Sequence, residues 1–526
     1  MGHIPRFRQV EWGSMPYYYP AALVKQTDES LIEELAPGVP MRRAAYGLAQ
    51  VVLGELRDHF GGVVGRKVWL VVGTGDNGGD ALWAGAFLKR RGVDVQVLLL
   101  SPERAHAEGL AAFRRAGGKF VDDVPKAGLP WERDRERGIV VDGVVGLSGR
   151  GPLRDKAAEI FSRPVPVQHR IVAVDLPSGV DPDTGAVDGP AVTADVTVAM
   201  GVFKQVHALN PERCGRLELV DIGYGETDLG HLGVLYEPGG FEALSEEQIA
   251  NFLPVPGPDD DKYTQGVVGV VAGSPTYPGA GALCAAGALA MTSGMVRVVG
   301  PAAKTLVAVH PELVVSEDFE STGRVNAWVI GPGADESVKE LLLQVLATDL
   351  PVVADASALR LVPDAIKGRA APTLITPHDR EFEAFAGRPV GADRVAAALE
   401  LAVECHVTVL LKGHVTIIAE PSRRVLVNIA QGSWAATAGS GDVLSGMIGA
   451  LLATGAPGPC SVRSAGSGHV VIRAPATSDY AAPLAAAIHS RAADLAAGGE
   501  RGAPITASRL AAHIPEAIRA VRSMSR

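Results

Sequence analysis

The chain has 526 residues, of which 47% are hydrophobic and 21% charged. This composition is typical of globular proteins, and the length predicts two or more domains. The net charge of −10 at pH 7 argues against general nucleic-acid binding, which needs a basic face. The four cysteines form no CxxC pair, so we expect reduced thiols in a cytoplasmic protein and no zinc site.

Neither of the two stretches that could enter a membrane has the expected composition. Residues 1–20 contain no apolar run, so no cleavable signal peptide is predicted. The most apolar stretch, Pro278–Val296, consists mainly of Ala and Gly. It is therefore predicted to be a buried helix rather than a membrane span, which would be richer in Leu, Ile and Phe.

The first half alternates between helix and strand patterns. Helical spacing over Leu31–Phe60, broken at Pro37-Gly38, precedes the apolar run Val68–Val72, which is typical of a buried parallel strand. The Gly-rich loop Gly73–Asp80 follows, and then a predicted helix Ala81–Arg91. This order opens a nucleotide-binding βαβ unit. Further strands are predicted at Val93–Leu100, Ile139–Asp142 and Ile171–Asp175.

Oxygen-bearing side chains stand where these strands end, namely Asn77, Asp142, Asp175 and Ser178. Open parallel sheets bind ligands at the carboxyl ends of their strands. Converging oxygens can hold a hard cation or act as acid and base. Each Asp taken alone could equally cap the helix that follows it, so both interpretations remain open from these residues.

Four motifs in this half occur in a fixed order: DNGGDAL, VDGVVGLSGRGP, AVDLPSGVDPDTG and ADVTVAMGVFKQVH. Together they resemble the signature of NAD(P)H-hydrate epimerase domains, over about residues 15–235. The resemblance implies a Rossmann-like fold that interconverts the R and S forms of nicotinamide hydrated at C6. It also implies a potassium ion held by Asn77, Asp142 and Ser178, with Asp175 as the acid/base group.

The same resemblance implies that two loops and Asp175 hold the substrate. The loop residues are Asp76, Asn77, Gly78, Gly79 and Asp80, and Gly146, Leu147, Ser148, Gly149, Arg150, Gly151 and Pro152. Asp76 is a departure, because the family most often has Asn there. It adds a negative charge near the substrate phosphates or the ion.

The joint between the two halves is predicted near residue 240, which divides the chain into domains 1–240 and 241–526. Gly223–Glu247 is rich in Gly and acidic residues, and Phe252–Asp261 is Pro-rich and ends in three acids. Such composition is typical of a linker and a domain entry.

The α/β alternation then restarts. Strands are predicted at Val267–Ala272, Val325–Ile330, Pro351–Asp355, Thr373–Thr376 and Val407–Leu411. A helix is predicted to begin around Arg380, and helices Ala481–Ala497 and Ala507–Val521 are predicted to close the chain. Residues 456–480, rich in Gly, Pro and Ser, are predicted to form a loop.

The segment Thr437–Met447 carries the most chemistry of this half. Glycines flank Ser440, and an apolar run with helical spacing follows Asp442. Open backbone amides and a helix start suit a phosphate. Asp442 could take a proton from a hydroxyl that meets a phosphoryl group, or it could cap the helix; the segment alone leaves both open.

Other strand ends add candidates. Lys412-Gly413 offers a cation and open backbone to a phosphate. His378 could be a surface or capping residue instead of a ligand-binding one, and Asp355 could cap its helix. No GxxxxGK[ST] motif occurs, which excludes a P-loop ATPase.

The second half carries KYTQGVVGVVAGSPTYPGAGALCAAGAL, VIGPGAD, TLITPHDREF, VLLKGHVTII and ATAGSGDVLSGMIGALLA, over about 260–455. These motifs resemble the ADP/ATP-dependent NAD(P)H-hydrate dehydratases of the ribokinase-like superfamily, with Ala438 where GGSGD is commoner. The resemblance implies a ribokinase-like α/β fold of three layers, with Mg²⁺ and with Asp442 as catalytic base. It implies nucleotide contacts by Lys412, Gly413, His414, Val415, Thr416 and Gly441, and hydrate contacts by Ala282, Gly333, His378 and Asp442.

Both resemblances concern the same damaged cofactor. We therefore expect a bifunctional repair enzyme, an isomerase and lyase that epimerises NAD(P)H hydrate and dehydrates the S form with ADP, giving NAD(P)H, AMP and phosphate. The expected partners are NADHX, NADPHX and ADP, with no nucleic acid or membrane, and the chain is expected to be a homo-oligomer. The sequence leaves open the preference for ADP or ATP and for NADH or NADPH hydrate.

Three alternatives compete with this hypothesis. An ATP-dependent kinase of a small vitamin precursor, of the hydroxymethylpyrimidine or hydroxyethylthiazole type, would share the fold and the GxGD loop. A nucleotide-sensing scaffold would not need Asp175 and Asp442, which are both present. An NAD-dependent dehydrogenase would need a G-x-G-x-x-G loop followed at the usual spacing by a ribose-binding acid. The loop Gly73–Asp80 does not fit this pattern, and its Asn and two Asp residues make it too polar for a plain dinucleotide loop.

Overall fold

The computed structural model describes residues 16–121, 129–133, 137–224, 239–291, 294–455, 461–465, 468–472, 478–499 and 501–524. These residues form two compact units, Tyr17–Phe241 and Glu242–Arg526. Residues 1–15, in which no signal peptide was expected, and 225–238 of the predicted linker lie outside the described residues. Both units combine parallel strands with helices, so the predicted α/β class is confirmed.

The first unit contains a sheet of seven parallel strands. In order across the sheet they are Lys119–Val121, Asp94–Leu99, Lys67–Val72, Gly138–Gly143, Arg170–Val174, Val196–Met200 and Arg216–Val220. The four strands predicted from apolar runs are all present. A separate pair joins Tyr17–Tyr19 to Phe203–Lys204.

Helices cover both faces of this sheet. Successive strand residues point to opposite faces, and Leu70 joins a core cluster with Leu48 and Leu82, whereas Trp69 joins another with Trp131. The unit therefore has three layers. Its helices are Ala21–Glu34, Val39–Phe60, Asp76–Arg90, Ala107–Arg115, Pro130–Arg133, Asp155–Phe161, Gln205–Leu209 and Pro211–Cys214, with a 3₁₀ turn at Pro102–Arg104.

The Gly-rich loop after the first central strand is shorter than predicted. The helix begins at Asp76 and not at Ala81, so Asp76–Asp80 form its first turns. Gly78 and Gly79 serve close packing rather than a turn. A Cβ on Gly78 would lie 2.5 Å from the carbonyl oxygen of Gly73, and one on Gly79 would lie 2.9 Å from the Cε of Met41.

The sheet of the second unit is parallel over seven strands, followed by two antiparallel ones. In order they are Val314–Ser316, Met295–Val299, Val267–Val271, Ala327–Ile330, Val352–Ala354, Thr373–Ile375, Thr408–Leu411, Val415–Ala419 and Val425–Ile429. The five predicted strands are confirmed. Strand Phe241–Ala243 lies at the boundary of the units.

Two long helices, Pro278–Met291 and Ser440–Thr454, pack against each other through backbone contact. A Cβ on Gly446 would lie 1.9 Å from the carbonyl oxygen of Cys284, and one on Gly287 would lie 2.1 Å from that of Val443. Only glycine permits this approach. The helices of the unit are Glu246–Phe252, Pro278–Met291, Ala303–Val309, Lys339–Leu346, Ser357–Leu361, Pro363–Lys367, Asp379–Ala386, Arg394–Cys405, Ser440–Thr454, Ser478–Ala497 and Ala507–Met524, with 3₁₀ turns at Glu320–Thr322 and Glu336–Val338.

None of the helices in the described ranges has the length and apolar character needed to cross a membrane. The apolar stretch at Pro278 forms the expected buried helix, which ends at Met291.

Two predictions of irregular structure were wrong in part. The two predicted linker stretches, Gly223–Glu247 and Phe252–Asp261, overlap the ends of a helix, Glu246–Phe252, which has a capping box between Ser245 and Gln248, and Phe252 and Leu253 belong to the core. Within 456–480, Ser461–Ala465 pairs antiparallel with Gly468–Ile472. Val and Ile favour strands, and their presence there outweighs the overall Gly, Pro and Ser content.

Candidate functional site

In the first unit, three predicted metal ligands lie together at the carboxyl edge of the sheet. Asn77 follows strand Lys67–Val72, where the strand order reverses, and its Nδ2 donates to the carbonyl oxygens of Val174 at 2.6 Å and Val145 at 3.2 Å. Ser178 Oγ accepts from the Val145 N–H at 3.0 Å and donates to Asp142 Oδ1 at 2.7 Å. Asn77, Asp142 and Ser178 therefore all contact the backbone of residues 144–145.

Asp142 is buried, and its Oδ2 also accepts from the Ser178 N–H at 2.8 Å. Burial raises the pKa of Asp142 to about 6, against the lowering effect of the hydrogen bonds from Ser178 and Val144. The neighbouring loop approaches Asn77 closely at Gly146, where a Cβ would lie 2.6 Å from Asn77 Oδ1.

Asp175 is fixed by an unusual backbone and a buried ion pair. Its φ of +65° lies in the left-handed region, which is strained for a residue other than glycine. Its Oδ1 accepts from the Met200 N–H at 2.9 Å and from the ammonium of Lys204. Lys204 Nζ also donates to the Met200 carbonyl oxygen at 2.6 Å, and its side chain is 1% exposed.

Lys204 was not predicted as a site residue, although the quoted motif contains it. His207, three residues later, holds the same pair. Its Nε2 lies 2.7 Å from the Asp175 carbonyl oxygen, and its Nδ1 accepts from the Lys204 N–H at 3.1 Å. Burial, together with the charge of Lys204, lowers the pKa of His207 to about 4, so the imidazole is neutral at pH 7.

Further carboxylates face Asp175. Asp80 is buried, and its Oδ1 accepts no hydrogen bond from any described residue. Burial and the charges of Asp175, Asp76 and Asp28 raise the pKa of Asp80 well above its usual range. Asp28, on helix Ala21–Glu34, accepts from the Tyr224 hydroxyl. No motif marked Asp28, since only the folded chain brings its helix to the site.

The second predicted substrate loop, Gly146–Pro152, follows strand Gly138–Gly143 at the same edge. Ser148, Arg150 and Gly151 are exposed. The Arg150 guanidinium donates to Asp183 Oδ2 at 2.7 Å and to the carbonyl oxygens of Leu147 and Gly149. These contacts order the loop from within.

In the second unit, Asp442 is the third residue of helix Ser440–Thr454 and does not cap it. The N-cap is Gly439, with φ +86°, and no side chain caps this end. A Cβ on Gly439 would lie 2.3 Å from Leu283 Cδ1. Burial, then the charge of Asp355 and more weakly that of Glu381, raise the pKa of the half-buried Asp442 to about 7, against the opposing charge of Lys412.

Lys412 stands beside the start of this helix. Its Nζ lies 3.0 Å from Asp355 Oδ1 and 3.4 Å from Glu381 Oε2. Burial lowers the pKa of Lys412, but the two carboxylates outweigh burial and raise it above its usual value, so the ammonium is charged. A Cβ on Gly441 would lie 3.4 Å from this Nζ, which brings Lys412 and Gly441 together.

Asp355 does not use its side chain to cap the helix that follows. It is 1% exposed, and its Oδ2 accepts from Ser445 Oγ at 2.6 Å. Asp355, Glu381 and Ser445 were not predicted as site residues. The available signals were the position of Asp355 at the end of a predicted strand and the presence of Glu381 and Ser445 in the quoted motifs.

Ala282 and Gly333, both expected to contact the hydrate, lie on neighbouring segments. A Cβ on Gly333 would lie 2.6 Å from the Cβ of Ala280, two residues before Ala282. Leu283, next to Ala282, is the residue that a Cβ on Gly439 would strike. The two predicted contacts are therefore close to the segment that bears Asp442.

His378 is exposed and caps helix Asp379–Ala386. Its Nδ1 accepts from the N–H groups of Arg380 and Glu381 at 3.2 and 3.3 Å, and Nε2 lies 3.7 Å from Glu381 Oε2. The four residues after Lys412 include the turn before strand Val415–Ala419. Gly413 is exposed and His414 half-buried, while Thr416 Oγ donates to the Gly413 carbonyl oxygen at 3.1 Å.

Known proteins resemble both units. A family model described as YjeF-related protein N-terminus matches residues 39–206, and one described as NAD(P)H-hydrate dehydratase matches 268–516. The bifunctional NAD(P)H-hydrate repair enzyme Nnr of Mycobacterium leprae is 48% identical over 514 residues, which cover 96% of this chain and 100% of the relative. The protein of the same name from Corynebacterium glutamicum is 36% identical, covering 94% and 97%.

Among solved structures, the ADP/ATP-dependent NAD(P)H-hydrate dehydratase of Bacillus subtilis, co-crystallised with ATP and Mg²⁺, is 26% identical. The match covers 53% of this chain and 98% of that chain, with a TM-score of 0.45.

Proposed function

Because this chain belongs to the family of bifunctional NAD(P)H-hydrate repair enzymes, as its motifs predicted, we propose that it repairs hydrated nicotinamide cofactors. It epimerises the R and S forms of NAD(P)H hydrate and dehydrates the S form with ADP, giving NAD(P)H, AMP and phosphate. The observation that carries the proposal is the half-buried Asp442, with a pKa raised to about 7 by burial, next to Lys412 and a helix start.

We assign epimerisation to residues 1–240 and dehydration to residues 241–526. The two family models fall on either side of this division. The homo-oligomer expected from the sequence stays a prediction.

In epimerisation, Asp175 is the acid/base group at the C6 hydroxyl. Loss of this hydroxyl as water and its return on the other face of the ring inverts C6, and each step moves a proton at the oxygen. The buried Lys204 ammonium fixes the carboxylate, and the neutral His207 holds the Asp175 backbone. Asp76–Asp80 and Gly146–Pro152 bind the substrate around it.

A potassium ion fits the same edge of the sheet. Asn77, Asp142 and Ser178 offer oxygen donors, which suit a hard cation, and Gly146 has no side chain to cover Asn77 Oδ1. These three residues would hold the ion. Bound there, it would supply positive charge to balance the carboxylates.

In dehydration, hydroxide is a poor leaving group, so the hydroxyl must first be activated. Asp442 takes the proton of the C6 hydroxyl. The hydroxyl oxygen receives the terminal phosphoryl group of ADP, and AMP is the leaving group. Phosphate then leaves C6 with help from the ring nitrogen, and a proton leaves C5. Amides of residues 439–441 and the Lys412 ammonium bind the charge that develops on the phosphoryl group.

Mg²⁺ fits the dehydration site as a companion of the nucleotide. The site has three carboxylates and one ammonium, those of Asp355, Glu381, Asp442 and Lys412. The excess of negative charge repels a bare diphosphate. No group of three or more His, Cys, Asp or Glu side chains in the described residues forms a metal cage. Glu381 would hold the ion together with the phosphates, and the ion would neutralise phosphate charge.

The remaining nucleotide contacts are assigned to Gly413, His414, Val415 and Thr416, and the hydrate contacts to Ala282, Gly333 and His378. Gly333 and Ala282 support this by their closeness to the Asp442 segment. The preference between ADP and ATP is not part of the assignment.

One assay tests the proposal. The chain is incubated with a mixture of R and S hydrated NADH, with and without ADP, and the epimers are resolved by chromatography. Without ADP we expect interconversion only; with ADP, both epimers should disappear and NADH absorbance should return. ATP-dependent phosphorylation of hydroxymethylpyrimidine without any dehydration would instead support the kinase alternative, which family membership does not favour.

A further inference from the structure

One buried carboxylate connects the two groups that act in dehydration. Asp355 directly follows strand Val352–Ala354, and its two carboxylate oxygens contact different partners. Oδ1 accepts from Lys412 Nζ at 3.0 Å, and Oδ2 accepts from Ser445 Oγ at 2.6 Å. Ser445 lies three residues after Asp442 in the same helix, so it occupies the same helix face. Asp355 therefore ties the ammonium to the helix of the base.

We propose that Asp355 is a positioning residue for dehydration, which holds the Lys412 ammonium at the start of helix Ser440–Thr454 and keeps Asp442 in a field of negative charge. This inference rests on the proposed role of Asp442 as base. A carboxylate that is buried and bonded on both oxygens cannot turn away, so it fixes both partners. The next residue, Ala356, has a φ of +49°, a backbone conformation that is strained for a residue other than glycine.

The charged groups around Asp442 come from three elements of the described structure. Asp355 and Lys412 follow strands, and Glu381 lies on helix Asp379–Ala386. Two further titratable groups are neutral. Burial raises the pKa of the Cys284 thiol well above its usual value, and burial lowers the pKa of His489, which contacts the Ser440 carbonyl oxygen, to about 4.

When the Asp355 charge is removed, the positive charge of Lys412 has a larger net electrostatic effect on Asp442. The ammonium favours the ionised carboxylate, so the pKa of Asp442 should fall. Dehydration needs the ionised base and rises with pH through that pKa. The acid limb of kcat should therefore move to lower pH in Asp355→Asn, while the loss of a fixed Lys412 lowers kcat itself.

The experiment measures kcat and KM for ADP between pH 5.5 and 9 with pure S hydrate. Asp355→Asn should lower kcat roughly tenfold or more and shift the midpoint of its acid limb down by about one pH unit. Asp355→Glu keeps the charge and should leave the midpoint in place. Ser445→Ala keeps the charge but loses the tie, so kcat should fall without a shift. The exposed Asp364 gives the matched control, and Asp364→Asn should change neither quantity.

A wild-type kcat and midpoint in Asp355→Asn would overturn the inference. If that variant does not fold, a wild-type kcat in Ser445→Ala would overturn it. Asp442→Asn separates this failure from failure of the proposed function. Dehydration retained in Asp442→Asn overturns the role of the base, whereas dehydration lost there but unaffected in Asp355→Asn overturns only the positioning role.

Discussion

The residues proposed as acid/base groups in the two units sit in opposite surroundings. Asp175 is buried, accepts from the Lys204 ammonium and has a strained backbone. Asp442 is half-buried, starts an ordinary helix and bonds no described side chain, with Lys412 near it but paired to Asp355 and Glu381. Asp175 is held in place by an ion pair, whereas we expect Asp442 to gain its contacts from the proposed ligands.

This difference follows from the chemistry proposed for each unit. An epimerase that removes and returns one hydroxyl moves a proton at that oxygen and gains from a carboxylate of fixed geometry and charge. The base in phosphoryl transfer must change protonation state as the nucleotide and hydroxyl arrive, and a pKa near the working pH suits that task. The comparison can be tested by removing charge from each side.

The largest effect is expected from Asp442→Ala. Without the base, dehydration of pure S hydrate should fall roughly 10²–10⁴-fold, while epimerisation in the same chain continues. The measurement follows the return of NADH absorbance with saturating ADP. The exposed Asp364 again supplies the control, and Asp364→Ala should behave as wild type. Dehydration at wild-type rate in Asp442→Ala would remove Asp442 from the mechanism.

Lys204→Met should abolish epimerisation, which Asp442→Ala leaves intact. It should also destabilise the first unit. The substitution leaves Asp175 buried and unpaired, which costs about 3–5 kcal/mol. Urea unfolding and R-to-S conversion are measured together. The double variant Asp175→Asn, Lys204→Met removes both charges and should recover much of the stability without recovering conversion. Epimerisation restored by the double variant would show that only folding had been lost.

The raised pKa of Asp442 also predicts a smaller, opposite effect on stability. Its folded pKa of about 7 lies above the usual 3.8, so the folded state holds this proton more tightly than the unfolded state. The free energy of unfolding contributed by Asp442 therefore falls as pH rises from about 4 to 7.

Asp442→Asn stays neutral and escapes this cost. It should exceed wild type in stability by about 1–2 kcal/mol at pH 8, a value discounted for solvent screening, and by much less at pH 5. Urea unfolding at both pH values measures the difference. A gain of equal size at both pH values would mean that ionisation of Asp442 is not its cause.

How far the sequence predicts each unit depends on how local the signal is. The apolar strands, the helix after Gly439 and the convergence of Asn77, Asp142 and Ser178 follow from residue patterns and from the rule for parallel sheets. The start of the helix at Asp76 was missed because two glycines resemble a loop. They are needed instead for close packing in three dimensions.

The partners of the acid/base residues were less predictable. Lys204 and Asp355 belong to motifs or strand ends, but nothing local shows that their charged atoms meet Asp175 and Lys412. Asp28 reaches its site from a helix about 150 residues away in sequence from Asp175. Pairings of this kind depend on tertiary contacts, which periodicity does not encode.

His378 gives the smallest expected effect, and it separates two functions of one side chain. As a cap, the imidazole accepts from the Arg380 and Glu381 N–H groups, so His378→Ala should cost about 1 kcal/mol of stability. His378→Asn preserves the capping acceptor, because Asn is among the favoured N-cap residues, and should retain stability. If His378 also contacts the hydrate, KM for S hydrate should rise in both variants, at unchanged KM for ADP. A wild-type KM in His378→Asn would leave His378 with the capping role only.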